Sequence, residues 1–166
     1  MKKKDILELK RTLTGGGIDI TLIELKEGLN ALLQTKYPKT KYKYYSMAVV
    51  EGYDRPCFFT QIRPIDASPV NYNTRHHQVV FYITILQKQV DEEEMLRMIQ
   101  EVQDLFGLNV KIGKKSLNVT DFDWQYAGTD RNVPEISIGL EWLEKIVHEI
   151  NEPLVEQVIT EKEMEE

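Results

Sequence analysis

Asp121 and Asp123 stand two apart in a run that reads as a strand, so both carboxylates project from one face. A Mg²⁺ or Ca²⁺ site, or a general acid/base pair, can use such an arrangement, and Asp130 follows nearby. A metal-dependent hydrolase built on Asp121 and Asp123 is therefore the enzymatic alternative for this chain. Against it, oxygen-ligand sites recruit more carboxylates or carbonyls in sequence than stand here. Phe122 and Trp124 occupy the opposite face together, which makes a solvated strand face the preferred reading.

The remaining reactive side chains point the same way. His76 and His77 are adjacent, so on a strand they face opposite sides and do not share one ion, and His148 is distant in sequence. Gly15, Gly16 and Gly17 are followed by no Lys-Ser or Lys-Thr at Walker spacing, and read as a linker. No Gly-x-Ser-x-Gly elbow or Cys-x-x-Cys pair occurs. Cys57, the single cysteine, lies in an apolar run and is expected to be a buried, reduced thiol in a reducing cytoplasm. No catalytic residue, cofactor or metal ligand is assigned, and the chain is expected not to be an enzyme.

Tyr42, Tyr44, Tyr45 and Tyr53, interleaved with Lys41 and Lys43, form a basic-aromatic stretch of the kind that stacks on single-stranded nucleic acid. The charge distribution decides against that use. Residues 149–166 hold seven Glu and one Lys, a net of −6, so the whole formal charge of the chain sits in this arm and residues 1–148 are neutral, with 20 basic and 20 acidic side chains. A neutral body lacks the basic footprint of nucleic-acid recognition, and the arm repels phosphate. The tyrosines are assigned to a sheet or an interface.

At 166 residues the chain fits one domain, with 42% hydrophobic and 29% charged residues, close to the globular average. Its apolar runs, such as Val79 to Tyr82, fall far short of the roughly 20 residues of a membrane span. Lys2, Lys3 and Lys4 are followed by Asp5, Glu8, Lys10 and Arg11 rather than by an apolar stretch, so no export signal and no membrane partner are expected.

The periodicities lay out the elements. Thr21 and Glu24 have capping-box spacing, and Leu22, Leu25, Leu29, Leu32 and Leu33 recur at helical period until Tyr37 and Pro38. Strands are expected from Lys41 to Val50, from Cys57 to about Arg63 and from Arg75 to Leu86, as three consecutive antiparallel strands. A turn at Gly52 to Pro56 separates the first two, and a polar connection from Pro64 to Asn73 the last two. A second helix is capped by Asp91, buries Met95, Met98, Ile99, Val102 and Phe106, and stops at Gly107. Val110 to Ile112, Leu117 to Trp124 and Pro134 to about Ile146 are again strands, the last alternating Ile136, Ile138, Leu140 and Trp142 with smaller or polar residues.

The fold class is therefore α+β, a mainly antiparallel sheet packed against two helices in the order α-β-β-β-α-β-β-β. It divides into an N-terminal extension over residues 1–17, a body over 18–148 and an acidic arm over 149–166. Asn151 and Pro153 can start a helix in the arm, with Leu154, Val155, Val158 and Ile159 along one side. That stripe is too short to fold alone and calls for a partner or a neighbouring subunit.

Ile20-Thr21-Leu22 followed by Lys26-Glu27-Gly28-Leu29-Asn30, then a tyrosine-rich strand, then Glu51-Gly52-Tyr53-Asp54-Arg55-Pro56-Cys57-Phe58-Phe59, resembles the tail terminator family of phages and defective prophages of Gram-positive bacteria. The element order carries the resemblance from Ile18 to Ile146, and Gly52 to Phe59 is its sharpest signature. It implies a virion structural protein that assembles as a homo-oligomeric ring, expected to be a hexamer, on the head-proximal end of the tail tube. The ring stops tube growth and presents a surface to the neck or head-completion protein. Implied partners are the tail tube protein and, in a contractile tail, the sheath, with DNA passing through the lumen unrecognised. Assembly is expected in the host cytoplasm and the final location at the head-tail junction. Tyr53 and Arg55, Pro69 and Tyr72, and Leu154, Val155, Val158 and Ile159 are the candidate interface residues. Another head-tail connector or adaptor is the structural alternative.

Overall fold

The computed structural model describes residues 19–46 and 52–147. Helix α1 spans Leu22–Lys36, and Thr21 starts it with a complete capping box: its hydroxyl accepts from the Glu24 amide at 3.2 Å while its own amide donates to the Glu24 carboxylate at 3.0 Å. Helix α2 spans Glu92–Phe106, capped by Asp91, whose carboxylate accepts from the amides of Glu93 and Glu94. Glu92, Glu93 and Glu94 fill its first turn, where the macrodipole favours negative charge. Gly107 ends it at a φ of 56°, a conformation cheap only for glycine.

The strands are β1 (Lys43–Ser46), β2 (Cys57–Asn71), β3 (Thr74–Leu86), β4 (Asn109–Ile112), β5 (Lys115–Ala127) and β6 (Val133–Lys145). They form one sheet in the order β1-β2-β3-β6-β5-β4. Both helices lie on one face. Leu25, Leu29 and Leu33 of α1 and Met98, Ile99, Val102 and Phe106 of α2 pack there on Phe58, Phe81, Ile83, Ile136, Ile138 and Leu140. Each fully buried aliphatic side chain in this layer contributes about 1.5–3 kcal/mol of transfer free energy.

Two strand expectations are corrected. β1 runs parallel to β2, Lys43 opposite Cys57 and Ser46 opposite Thr60, so the turn residues before Cys57 return the chain to the start of its neighbour instead of closing a hairpin. The Tyr42 and Tyr44 rings each sit 5.3 Å from Phe58, whose side chain is fully buried. Periodicity carries no information about direction.

Pro64 to Asn71 is strand, not polar connection. β2 continues through both prolines to a tight hairpin at Tyr72 and Asn73, with register shifts at Ile65 and Val70. β1 covers only Cys57 to Thr60, so the rest of β2 is a sheet edge among the described strands. Proline is tolerated there because an outward N–H has no ladder partner to lose. Cys57 is buried, as expected, and burial pushes its thiol pKa up.

Candidate functional site

Cross-strand partners share a face, so the registers place each candidate. Asp121 lies opposite Gly139 and Asp123 opposite Ser137, on the sheet face away from the helices. The two carboxylates do share a face, and both are exposed. The Asp123 carboxylate accepts from the Trp124 amide at 2.9 Å and borders an open hollow of about 180 Å³ with Tyr82, Gln125, Glu135 and Ser137. Phe122 and Trp124 turn to the other face, their rings 6.4 Å apart.

His76 and His77 occupy opposite faces, each engaged by a different carboxylate: His76 with Glu141 at 3.0 Å and His77 with Glu144 at 2.5 Å. His77 also lies flat against Trp142, with ring centroids 4.9 Å apart and planes 6° off parallel. His148 lies outside the described residues.

A grouping invisible at the level of motifs gathers around His77. Asp19, His77 and Glu144 place ligand-type atoms within 4.8 Å of one another, the one such trio among the described residues. Lys115 reaches the Asp19 carboxylate at 3.2 Å and Arg75 the Glu144 carboxylate at 3.5 Å. Burial pushes the Asp19 carboxyl up, but hydrogen bonding with Glu144 and Lys115, helped by the ammonium charge, outweighs it and holds the group below its ordinary value. Two carboxylates face two cations, so the cluster is a balanced ion-pair network that ties Asp19 to β3, β5 and β6. It sits toward the hairpin end of the sheet, beside the start of α1, and no local pattern links residues so distant in sequence.

The interface candidates fall in three places. Tyr53 and Arg55 belong to an aromatic patch at the β1 edge, on the face away from the helices. The Phe59 ring is 5.3 Å from Tyr53 and 5.4 Å from Tyr45, and the Arg55 guanidinium lies 5.6 Å over the Tyr53 ring. The Tyr45 hydroxyl accepts from the Asp54 amide at 3.0 Å and fixes the loop. Pro69 is on the open edge of β2 and Tyr72, 74% exposed, on the hairpin tip. Leu154, Val155, Val158 and Ile159 lie outside the described residues.

Sequence reasoning missed a groove of about 300 Å³ at the hairpin end of the helix-side face, bounded by Ile20, Leu22, Pro64, Ile65, Val79 and Trp142. The buried indole Nε1 of Trp142 has no hydrogen-bond partner among the described residues. Alternation along β6 placed Trp142 on the apolar face, and the structure buries it there to 4% exposure with the His77 ring flat against it.

The described residues thus form one sheet shielded on one side by two helices, with aromatic and apolar side chains at its rim. The family described as phage tail terminator protein matches residues 24–152, and the chain belongs to it. The protein is thus a structural component of the phage tail, in a family not known for enzymatic activity. No curated protein matches the chain. Among solved structures, one aligns with 79% of this chain and 99% of its own length at 9% identity and a TM-score of 0.48.

Proposed function

We propose that the protein forms a ring, expected to be sixfold, on the head-proximal end of the tail tube, stops its polymerisation and joins it to the neck or head-completion protein. The observation that carries this reading is the tail terminator match across nearly the whole folded body. The charge division is compatible with it. A body with balanced charge leaves DNA free to slide through a lumen, since few cations are available to hold phosphates.

A closed ring needs a heterologous contact, in which one surface of each copy meets a different surface of the next. The Tyr53 and Arg55 patch, the β2 edge with Pro69 and Tyr72, and the acidic arm supply such unlike surfaces. The tail tube protein is the first partner, with the sheath added in a contractile tail.

Electron microscopy of the protein mixed with tail tubes of its own element tests the reading. A ring on one end only is expected. Binding along the sides, or at the neck without a terminated tube, would transfer the protein to another head-tail connector role.

A further inference from the structure

The two open edges of the sheet match each other. β1 covers β2 only to Thr60 and β4 covers β5 only to Asn118, so among the described strands β2 is open from Gln61 and β5 from Thr120. These stretches stand at the same level of the sheet. Arg63 pairs with Val80, Val80 with Gly139 and Gly139 with Asp121, so one row on the face away from the helices ends in an arginine on one edge and an aspartate on the other. The next row on that face runs from Gln61 through Tyr82 and Ser137 to Asp123. Between them, on the helix-side face, a row runs from Ile62 to Phe122, and Trp124 beside Phe122 is 48% exposed. Arg63, Asp121 and Asp123 are all exposed. Among the described residues nothing pairs with the side chains of Arg63 or Asp121, and the Asp123 carboxylate accepts only from the Trp124 amide. Asp66, beyond the register shift in β2, and Asp54, in the loop before it, lie outside these rows.

We propose that the β2 edge of one copy meets the β5 edge of the next, with Arg63 facing Asp121 and Asp123 on one side of the junction and Ile62 facing Phe122 and Trp124 on the other. The proposal rests on the ring reading and specifies its contact. Charge argues for a second copy as the partner: in these rows each edge carries the sign the other lacks, and the fork of an arginine suits carboxylates. A neighbour set beside the sheet in the same orientation, with no shift along the strands, brings the charged and the apolar pairs together at once, because the rows are level. Side chains make the match, since Pro64 has no amide to offer a further strand. The two edges are unlike surfaces, so each copy gives one contact and receives one, as a closing ring demands.

Charge reversal in the full-length protein, scored by electron microscopy as rings on tail tubes, tests this. Arg63→Glu and Asp121→Arg should each lower the ring fraction by about tenfold, because either change sets like charges across the junction. The double variant Arg63→Glu/Asp121→Arg should restore rings above either single variant, since its pair is reversed rather than broken. Arg63→Cys/Asp121→Cys supplies a second measurement. Within one copy the two positions lie three strand spacings apart, roughly 14 Å along the sheet and beyond the reach of a disulfide. Mild oxidation should therefore link copies into a ladder that ends at the copy number of the ring, while the buried Cys57 stays silent. Rings that form as well in both single charge variants, with no ladder, would overturn the edge assignment and leave the ring reading standing. Loss in both single variants with neither recovery in the double variant nor a ladder would overturn it too. Unmodified protein that never forms rings on tubes would remove both.

Discussion

The Tyr37 hydroxyl donates to the Glu101 carboxylate at 2.7 Å, bridging the end of α1 to the middle of α2. The hydrogen bond from Tyr37 is the main cause that holds the Glu101 carboxyl below its ordinary value, and burial drives the Tyr37 phenol in the opposite direction, upward. Lys36 adds a 3.4 Å ion pair to the same carboxylate.

Tyr37→Phe should therefore cost about 1 kcal/mol at neutral pH, read from the urea midpoint. The pH dependence has a definite sign. A carboxylate whose folded value is depressed contributes stability above its unfolded value and loses it as pH falls through the folded one. The gap between wild type and variant should thus be full at pH 7 and shrink below about pH 4. An equal gap at pH 7 and pH 2.5 would show that Glu101 is not the acceptor that matters.

Gly28 lies inside α1, where alanine normally gains about 1 kcal/mol. Here a Cβ would stand 2.3 Å from Cγ2 of Ile112, on β4 beneath the helix. Gly28→Ala should consequently destabilise by about 1–3 kcal/mol in thermal or urea unfolding, the range of overpacked cores. Adding Ile112→Ala should relieve the clash, so that the double variant loses less than the two single changes together.

Asp121 and Asp123 share a face, but among the described residues they form no trio of ligand-type side chains with atoms within 4.8 Å of one another, although Glu135 borders the same hollow as Asp123. Calorimetric titration with Mg²⁺, Mn²⁺ and Ca²⁺ should give no specific heat with wild type and none with Asp121→Asn/Asp123→Asn. A saturable signal in wild type, lost in the variant, would restore the hydrolase reading.

Arg55→Ala removes an exposed guanidinium lying over Tyr53, a contact worth about 0.5–1 kcal/mol at most. The thermal midpoint should move by only a few degrees. Binding to tail tubes, measured by co-sedimentation, should weaken far more if the patch is an interface, and unchanged co-sedimentation would take Arg55 out of it.

The sequence by itself determined the elements whose causes are local. Thr21 and Glu24 start α1, Asp91 and Gly107 bound α2, and the alternation from Ile136 to Trp142 selects the buried face of β6. Each depends on residues within a turn or a pleat of one another. The Gly52 to Phe59 stretch was also legible, and the resemblance it carried is the family to which the chain belongs.

Tertiary structure alone decided the rest. It made β1 parallel to β2, a direction that the alternation of side chains does not encode. It kept Pro64 and Pro69 in a strand, because that strand is an edge. It also assembled Asp19, His77, Glu144, Arg75 and Lys115 into one ion-pair network and buried Trp142 beside it. Such features depend on which surfaces lie beside each other and where a helix begins relative to a sheet, quantities that no local spacing encodes.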